Sequence, residues 1–121
     1  TPDGSSSFHL PRAIGIKRAM EMTLLGDRYT AQQMANMGLV NFVVPNEKLD
    51  EETDKLASRL ANGPTQVYGQ GKRLMYSSLE NEFESQLQLE AECFADCAKR
   101  NDYREGITAF VEKRKAVFTG T

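Results

Sequence analysis

Leu39-Val40-Asn41-Phe42-Val43-Val44-Pro45 is the run that decides how the rest of the chain is read. It is short, rich in β-branched and aromatic residues, and bounded by Gly38 and Pro45, so it reads as a single β-strand. A lone strand cannot satisfy its own ladder, because every backbone N–H and C=O that it buries needs a partner. The sequence therefore predicts that the partner lies outside this chain or in another copy of it. No second run has this character, and the chain on both sides reads as helix.

Before the strand, Ile16, Ala19, Met20, Thr23 and Leu24 share one face at helical spacing, with Lys17, Arg18 and Glu21 opposite and Gly26 as a stop. Thr30 with Gln33 makes a capping-box start, and Gly38 closes that short helix. After the strand, Leu49, Thr53, Leu56, Ala57 and Leu60 form a stripe ended by Asn62-Gly63, with Pro64 at the first position of the next helix. Val67, Gly71, Leu74, Met75 and Ser78 carry that helix on. Its glycines, Gly69 and Gly71, each weaken it by up to about 1 kcal/mol relative to Ala, and close packing against a neighbouring backbone would explain them. Phe83, Leu87, Ala91, Phe94 and Ala98 mark a long helix. Asp102 with Glu105 reads as a second capping box, opening a last helix whose stripe is Ile107, Phe110 and Val111, extended by Phe118. The expected fold is mostly α, with about six helices and one short strand.

Composition narrows the function classes. The 121 residues carry 15 Lys and Arg against 17 Asp and Glu, a net charge of -2, with 26% charged and 40% hydrophobic residues. That hydrophobicity and near-neutral charge argue against a disordered chain. The signs are interspersed, which excludes a large electrostatic nucleic-acid footprint. No apolar run approaches the roughly 18 residues of a membrane span. Cys93 and Cys97 cannot build a disulfide framework, and a reducing compartment is the simpler reading. The chain begins without Met in the turn-like run Thr-Pro-Asp-Gly-Ser-Ser-Ser, and no secretory or transit segment is evident. The expectation is that an upstream part was removed or cut away.

Few residues offer chemistry. Asp3 sits on a loop before a helix, where a carboxylate acts as general acid or base if a dry pocket raises its pKa; Pro-Asp-Gly is equally an ordinary turn. His9, the only histidine, has no second ligand at metal spacing and reads as packed or surface. Cys93 and Cys97 lie four residues apart and read as small core residues or an inert pair. The acidic clusters at 47–54 and 80–84 suit helix N-termini or solvated faces rather than a metal site. Lys113-Arg114-Lys115 suits a helix C-terminus. A sharper reading makes Lys113 a point charge for phosphate and Phe110, one turn earlier, an aromatic face for a flat base.

Four segments together resemble the C-terminal half of the enoyl-CoA hydratase/isomerase (crotonase) family. They are Pro-Asp-Gly-Ser-Ser-Ser-Phe-His-Leu-Pro-Arg-Ala-Ile-Gly at 2–15, Ala-Met-Glu-Met-Thr-Leu-Leu-Gly-Asp-Arg at 19–28, Thr-Ala-Gln-Gln-Met-Ala-Asn-Met-Gly-Leu-Val-Asn at 30–41 and Asp-Tyr-Arg-Glu-Gly-Ile-Thr-Ala-Phe-Val-Glu-Lys-Arg at 102–114. Their order and spacing are the family's, across essentially the whole chain. The resemblance implies the helical C-terminal part of a crotonase-like (ClpP/crotonase) α/β fold. Residues 1–45 would end the core with the catalytic loop, helices and last strand, and residues 46–121 would be the C-terminal helical trimerisation region. The N-terminal half, with its repeated ββα core, both oxyanion-hole N–H groups and most coenzyme A contacts, would be absent, which accounts for the orphan strand.

The resemblance also suggests site residues. Hydratase-like members have glycine directly after the proline that here is Pro2, and use two glutamates further upstream. Asp3 instead resembles the family's isomerases, which shift double bonds or rearrange an epoxide ring. The Pro-Asp-Gly-Ser run, Leu10-Pro11-Arg12 and Asp102-Tyr103-Arg104-Glu105-Gly106 are most similar to the isomerases of phenylacetate degradation that act on ring-epoxidised thioesters. Asp3 would then be the catalytic proton carrier, working on an enolate held by two backbone N–H groups. Phe8 and Leu10 would line the acyl pocket or simply pack as core. Phe110 and Lys113 match the positions that reach the adenine and 3′-phosphate of coenzyme A, often across a subunit interface. No metal or redox cofactor is implied, because coenzyme A is part of the substrate. The expected partners are an acyl-CoA thioester and further copies of the chain, in a trimer or dimer of trimers, without nucleic acid or membrane. The expected location is a bacterial cytoplasm, or a mitochondrion or peroxisome in a eukaryote. Three alternatives stay open at this level: an enoyl-CoA hydratase in which Asp3 is a turn residue, a non-catalytic family member, and a helical association module without chemistry of its own.

Overall fold

The computed structural model describes residues 1–121 as seven α-helices and one 3-10 turn. The helices are α1 (Ser6–Ile14), α2 (Ile16–Leu25), α3 (Ala31–Asn36), α4 (Leu49–Ala61), α5 (Thr65–Ser77), α6 (Phe83–Ala98) and α7 (Asn101–Val111), with the 3-10 turn at Asn46–Lys48. They group into two compact units, Thr1–Leu49 and Asp50–Thr121.

In the first unit α1 packs on α2, burying Ile14 and Ala19. α1 is the helix that spacing alone did not reveal. Pro11 lies inside it, where a missing N–H and a ring clash ordinarily break a helix, and two consecutive left-handed residues, Gly4 (φ 54°) and Ser5 (φ 66°), turn the chain into it. Ser6 N–H closes the entering turn on the Asp3 carbonyl at 2.9 Å, and the Arg12 guanidinium donates to the Phe8 carbonyl at 3.0 Å. α3 begins as expected: Gln33 N–H donates to Thr30 Oγ1 at 3.2 Å and Thr30 N–H to Gln33 Oε1 at 2.8 Å.

The expected strand at 39–45 is not formed. These residues are irregular and Phe42 is 75% exposed. A strand exists only through its ladder, and this chain holds no second strand to supply one.

In the second unit α5 packs on α6 and α6 on α7, around Cys93, Cys97 and Ala109. Both cysteines are buried free thiols, and Cys93 Sγ donates to Gln70 Oε1 at 3.3 Å. Gln70 also donates to Asp96, which pairs with Arg100 at 2.9 Å, so a short polar chain ties α5 to the end of α6. The glycine in the Asn62-Gly63 break has a steric reason: a Cβ on Gly63 would collide with the Tyr68 ring. Pro64 takes the N-cap rather than the first helical position, a one-residue difference at a boundary. At Gly69 and Gly71, by contrast, a Cβ would meet nothing within 4 Å, so no close backbone approach inside the chain accounts for them.

The second capping box is also not formed. α7 starts two residues earlier, with Arg100 as N-cap, and this places Asp102 within the first turn. Its buried carboxylate accepts from Thr119 N–H at 2.8 Å and Gly120 N–H at 2.9 Å, while its own N–H donates to the Thr121 carbonyl at 2.9 Å. The C-terminal tail is thereby folded back on α7, setting Phe118 against Gly106.

Replacing Gly69 by Ala is expected to raise the chain's unfolding free energy by up to about 1 kcal/mol, and Gly63→Ala to lower it by about 1–3 kcal/mol through displacement of Tyr68. Urea unfolding reads both. Asp102→Ala should cost about 1.5–3 kcal/mol, as a charged acceptor is lost from backbone donors. Hydrogen exchange should accelerate at Thr119 and Gly120 in that variant and stay unchanged in α5.

Candidate functional site

The five residues singled out from sequence fall into two groups, Asp3, Phe8 and Leu10 in the first unit and Phe110 and Lys113 in the second. Asp3 lies on the left-handed turn ahead of α1. Its side chain is exposed, and no hydrogen bond or ion pair within the chain engages the carboxylate. The turn is nonetheless ordered by Asp3 itself, whose carbonyl accepts from both Ser6 N–H and Ser6 Oγ, at 2.9 and 2.6 Å. The backbone is held and the acid is left available. Phe8 and Leu10 follow on the first turns of α1. Leu10 is half-buried; Phe8 is exposed, with the Arg12 guanidinium stacked 3.6 Å from its ring centroid and the His9 ring edge-on at 5.1 Å.

Phe110 and Lys113 stand at the end of α7. Phe110 is 83% exposed and Lys113 is exposed, without an acidic partner for its ammonium. The helix closes in a Schellman turn, with Arg114 N–H on the Ala109 carbonyl at 3.0 Å and Lys113 N–H on the Phe110 carbonyl at 3.3 Å. The left-handed position of that turn is Lys113 itself, at φ 53°. α3 ends in the same hydrogen-bond pattern, Leu39 N–H to the Met34 carbonyl and Gly38 N–H to the Ala35 carbonyl, but with Gly38 at φ 83°. Glycine meets this geometry without cost, whereas a residue bearing a Cβ pays about 1–2 kcal/mol. A lysine held there is strained in the way that functional positions often are.

Glu105, which the sequence reading gave to a capping box, organises this end together with Glu112. Glu105 takes both terminal nitrogens of Arg114, at 2.6 and 2.9 Å, and accepts from Val117 N–H at 2.8 Å. The Arg114 guanidinium and then the Val117 N–H hold the Glu105 carboxyl down to about 2, from an ordinary 4.5. Arg114 Nε reaches Glu112 at 2.7 Å, and the two carboxylates keep the guanidinium firmly protonated. Glu105 and Arg114 are nine residues apart, beyond any helical-spacing rule, so only the returning tail brings them together. Beside them α4 and the tail form an open groove of about 890 Å³, lined by Glu51, Lys55, Arg59 and Lys115 among others; none of the five site residues lines it. No group of three or more His, Cys, Asp and Glu side chains converges as a metal site would require, and no helix is long and apolar enough to cross a membrane.

Comparison with known proteins agrees with the resemblance. The family model for enoyl-CoA hydratase/isomerase matches residues 1–121. The chain is 38% identical over 119 residues to the 1,2-epoxyphenylacetyl-CoA isomerase of Escherichia coli K12, covering 98% of this chain and 45% of the relative. It is 35% identical, over the same shares, to the trans-2-decenoyl-[acyl-carrier-protein] isomerase of Streptococcus mutans. The crystal structure of an enoyl-CoA hydratase from Bacillus anthracis superposes with a TM-score of 0.91 at 31% identity, over 99% of this chain and 46% of that one. The chain thus spans about half the length of the curated relatives it matches. The helical architecture is that of the C-terminal part of a crotonase fold. With a match along its entire length, the chain belongs to the enoyl-CoA hydratase/isomerase family.

Proposed function

We propose that this chain supplies the C-terminal helical half of an acyl-thioester isomerase in which Asp3 is the proton carrier. The observation that carries the reading is the aspartate directly after Pro2, in a chain 38% identical to a 1,2-epoxyphenylacetyl-CoA isomerase. In this mechanism two backbone N–H groups of the N-terminal half bind the thioester oxygen and stabilise the enolate, a charge that develops mainly in the transition state. The Asp3 carboxylate takes a proton from one carbon and returns it to another, or as the acid protonates the opening epoxide oxygen. Its exposure in this chain suits a group awaiting the half that would bury it. Phe8 and Leu10 line the acyl side, Phe110 offers its face to the adenine, and Lys113 meets the 3′-phosphate of coenzyme A. The strain accepted at Lys113 supports a role for its ammonium. No metal or separate cofactor enters this reading.

The exposed apolar faces favour assembly. Leu24, Phe42, Phe83, Phe94 and Phe110 are all exposed large apolar side chains, each with half or more of its surface open to water. The proposed covers are the N-terminal half and neighbouring copies, in a trimer or dimer of trimers. A bacterial cytoplasm or a eukaryotic mitochondrion or peroxisome is the proposed location. A hydratase reading draws on relatives such as the mitochondrial enoyl-CoA hydratase of Pongo abelii, 37% identical over 117 residues. In that reading upstream glutamates do the chemistry and Asp3 only makes the turn.

In the complete enzyme Asp3→Asn should abolish isomerisation while acyl-CoA binding stays within about threefold, as charge and not shape is removed; unchanged turnover would return Asp3 to a turn residue. The 121-residue chain alone should show negligible turnover of an enoyl-CoA, since it carries no oxyanion donors of the proposed kind. Measurable turnover by the purified chain would overturn the division of labour.

A further inference from the structure

The end of α7 contains more organisation than two ligand-facing residues require. Lys113 is the one non-glycine residue in a left-handed helix-ending turn, and both of its neighbours are tied down while its own side chain is not. Glu112, before it, receives Arg114 Nε at 2.7 Å. Arg114, after it, forks onto both oxygens of Glu105 at 2.6 and 2.9 Å. Glu105 reaches further and holds Val117 N–H at 2.8 Å, so the chain on the far side of the turn is fastened to the same carboxylate. A bidentate guanidinium–carboxylate pair fixes direction as well as distance, which a lysine in place of Arg114 would not. The pair is bidentate and shared with Glu112, and what bears on Lys113 is the direction it fixes.

We propose that Glu105 and Arg114 are a positioning pair: they hold Lys113 in its left-handed turn, so that the ammonium and the Phe110 ring form a preset two-point grip on the phosphorylated adenosine end of the thioester carrier. This rests on the reading of Phe110 and Lys113 given above and adds what makes them selective. A carrier that lacks the 3′-phosphate, or lacks the nucleotide altogether as an acyl-carrier protein does, forfeits the contact that the pair has set up. Because Glu105 is held far below its ordinary value, the pair is complete above pH 4.5 and is lost only as pH falls through about 2.

The test titrates coenzyme A and 3′-dephospho-coenzyme A into the complete natural polypeptide by calorimetry, and follows the backbone chemical shifts of Lys113 by NMR. The native protein is expected to bind coenzyme A about tenfold more tightly than its dephospho form, the scale of one charged hydrogen bond. Glu105→Gln and Arg114→Lys should each bring that preference to about twofold or less and erase the left-handed signature at Lys113. Affinity for the dephospho form and the helical circular dichroism should stay unchanged, which loss of folding would not allow. Lys115→Gln, outside the pair, should keep the full preference. Retention of the preference in both pair variants would overturn the proposal, and so would its loss with Lys113 still left-handed. No preference in the native protein would instead sink the reading of Phe110 and Lys113 as the nucleotide site, and the positioning role with it.

Discussion

Each helix of this chain carries one apolar stripe, and the chain does not contain enough second surface to cover those stripes. This shortage governs the rest. Only Ile14, Ala19, Cys93, Cys97 and Ala109 form its buried apolar set, and most are small. Helices are normally stable because such a stripe is buried against another layer, at roughly 25 cal/mol per Å² of apolar surface. Here the layer is missing along α2, α4 and α6, and residues 39–45 lack the strand that would pair with them. A chain spanning about half the length of its relatives while matching their architecture over nearly all of its own is what this arrangement describes.

Where burial is scarce, local order comes from backbone and charge. α3 is started by the reciprocal Thr30–Gln33 bonds and ended by Gly38. Gln70, Asp96 and Arg100 connect α5 to α6 through side-chain hydrogen bonds. The C-terminal tail contributes no strand or helix, yet Asp102 and Glu105 hold it at Val117, Thr119 and Gly120 through backbone N–H groups. Carboxylates that accept from backbone donors are among the stronger hydrogen bonds available to a protein. They operate without a large core, and they concentrate at the end of α7, where Phe110 and Lys113 stand.

The same economy appears at the other candidate group. The turn bearing Asp3 is shaped by left-handed residues and by the Asp3 carbonyl, not by the carboxylate, which is left unengaged. In both places the backbone is specified and one ionisable side chain is spared: Asp3 before α1, Lys113 after α7. The left-handed residues and ion pairs that shape each turn lie one or two residues away from the spared group.

By itself the sequence determined what depends on neighbours along the chain. Helical spacing located α2, α4, α5, α6 and α7, the Thr30–Gln33 pattern located the start of α3, and the want of a second strand announced that residues 39–45 had no partner here. Four linear segments were enough to recognise the family, since motif order survives without coordinates. Tertiary structure alone decided the remainder. α1 runs through Pro11, after a left-handed turn and with the Arg12 guanidinium on the Phe8 carbonyl, and none of these is a periodic signal. Asp102 and Glu105 have capping-box spacing but serve a tail 12 to 18 residues further on, a distance over which local pattern carries no information. Lys113 reads as one of three basic residues at a helix end; its left-handed backbone, and the reach of Arg114 back to Glu105, are visible only in three dimensions.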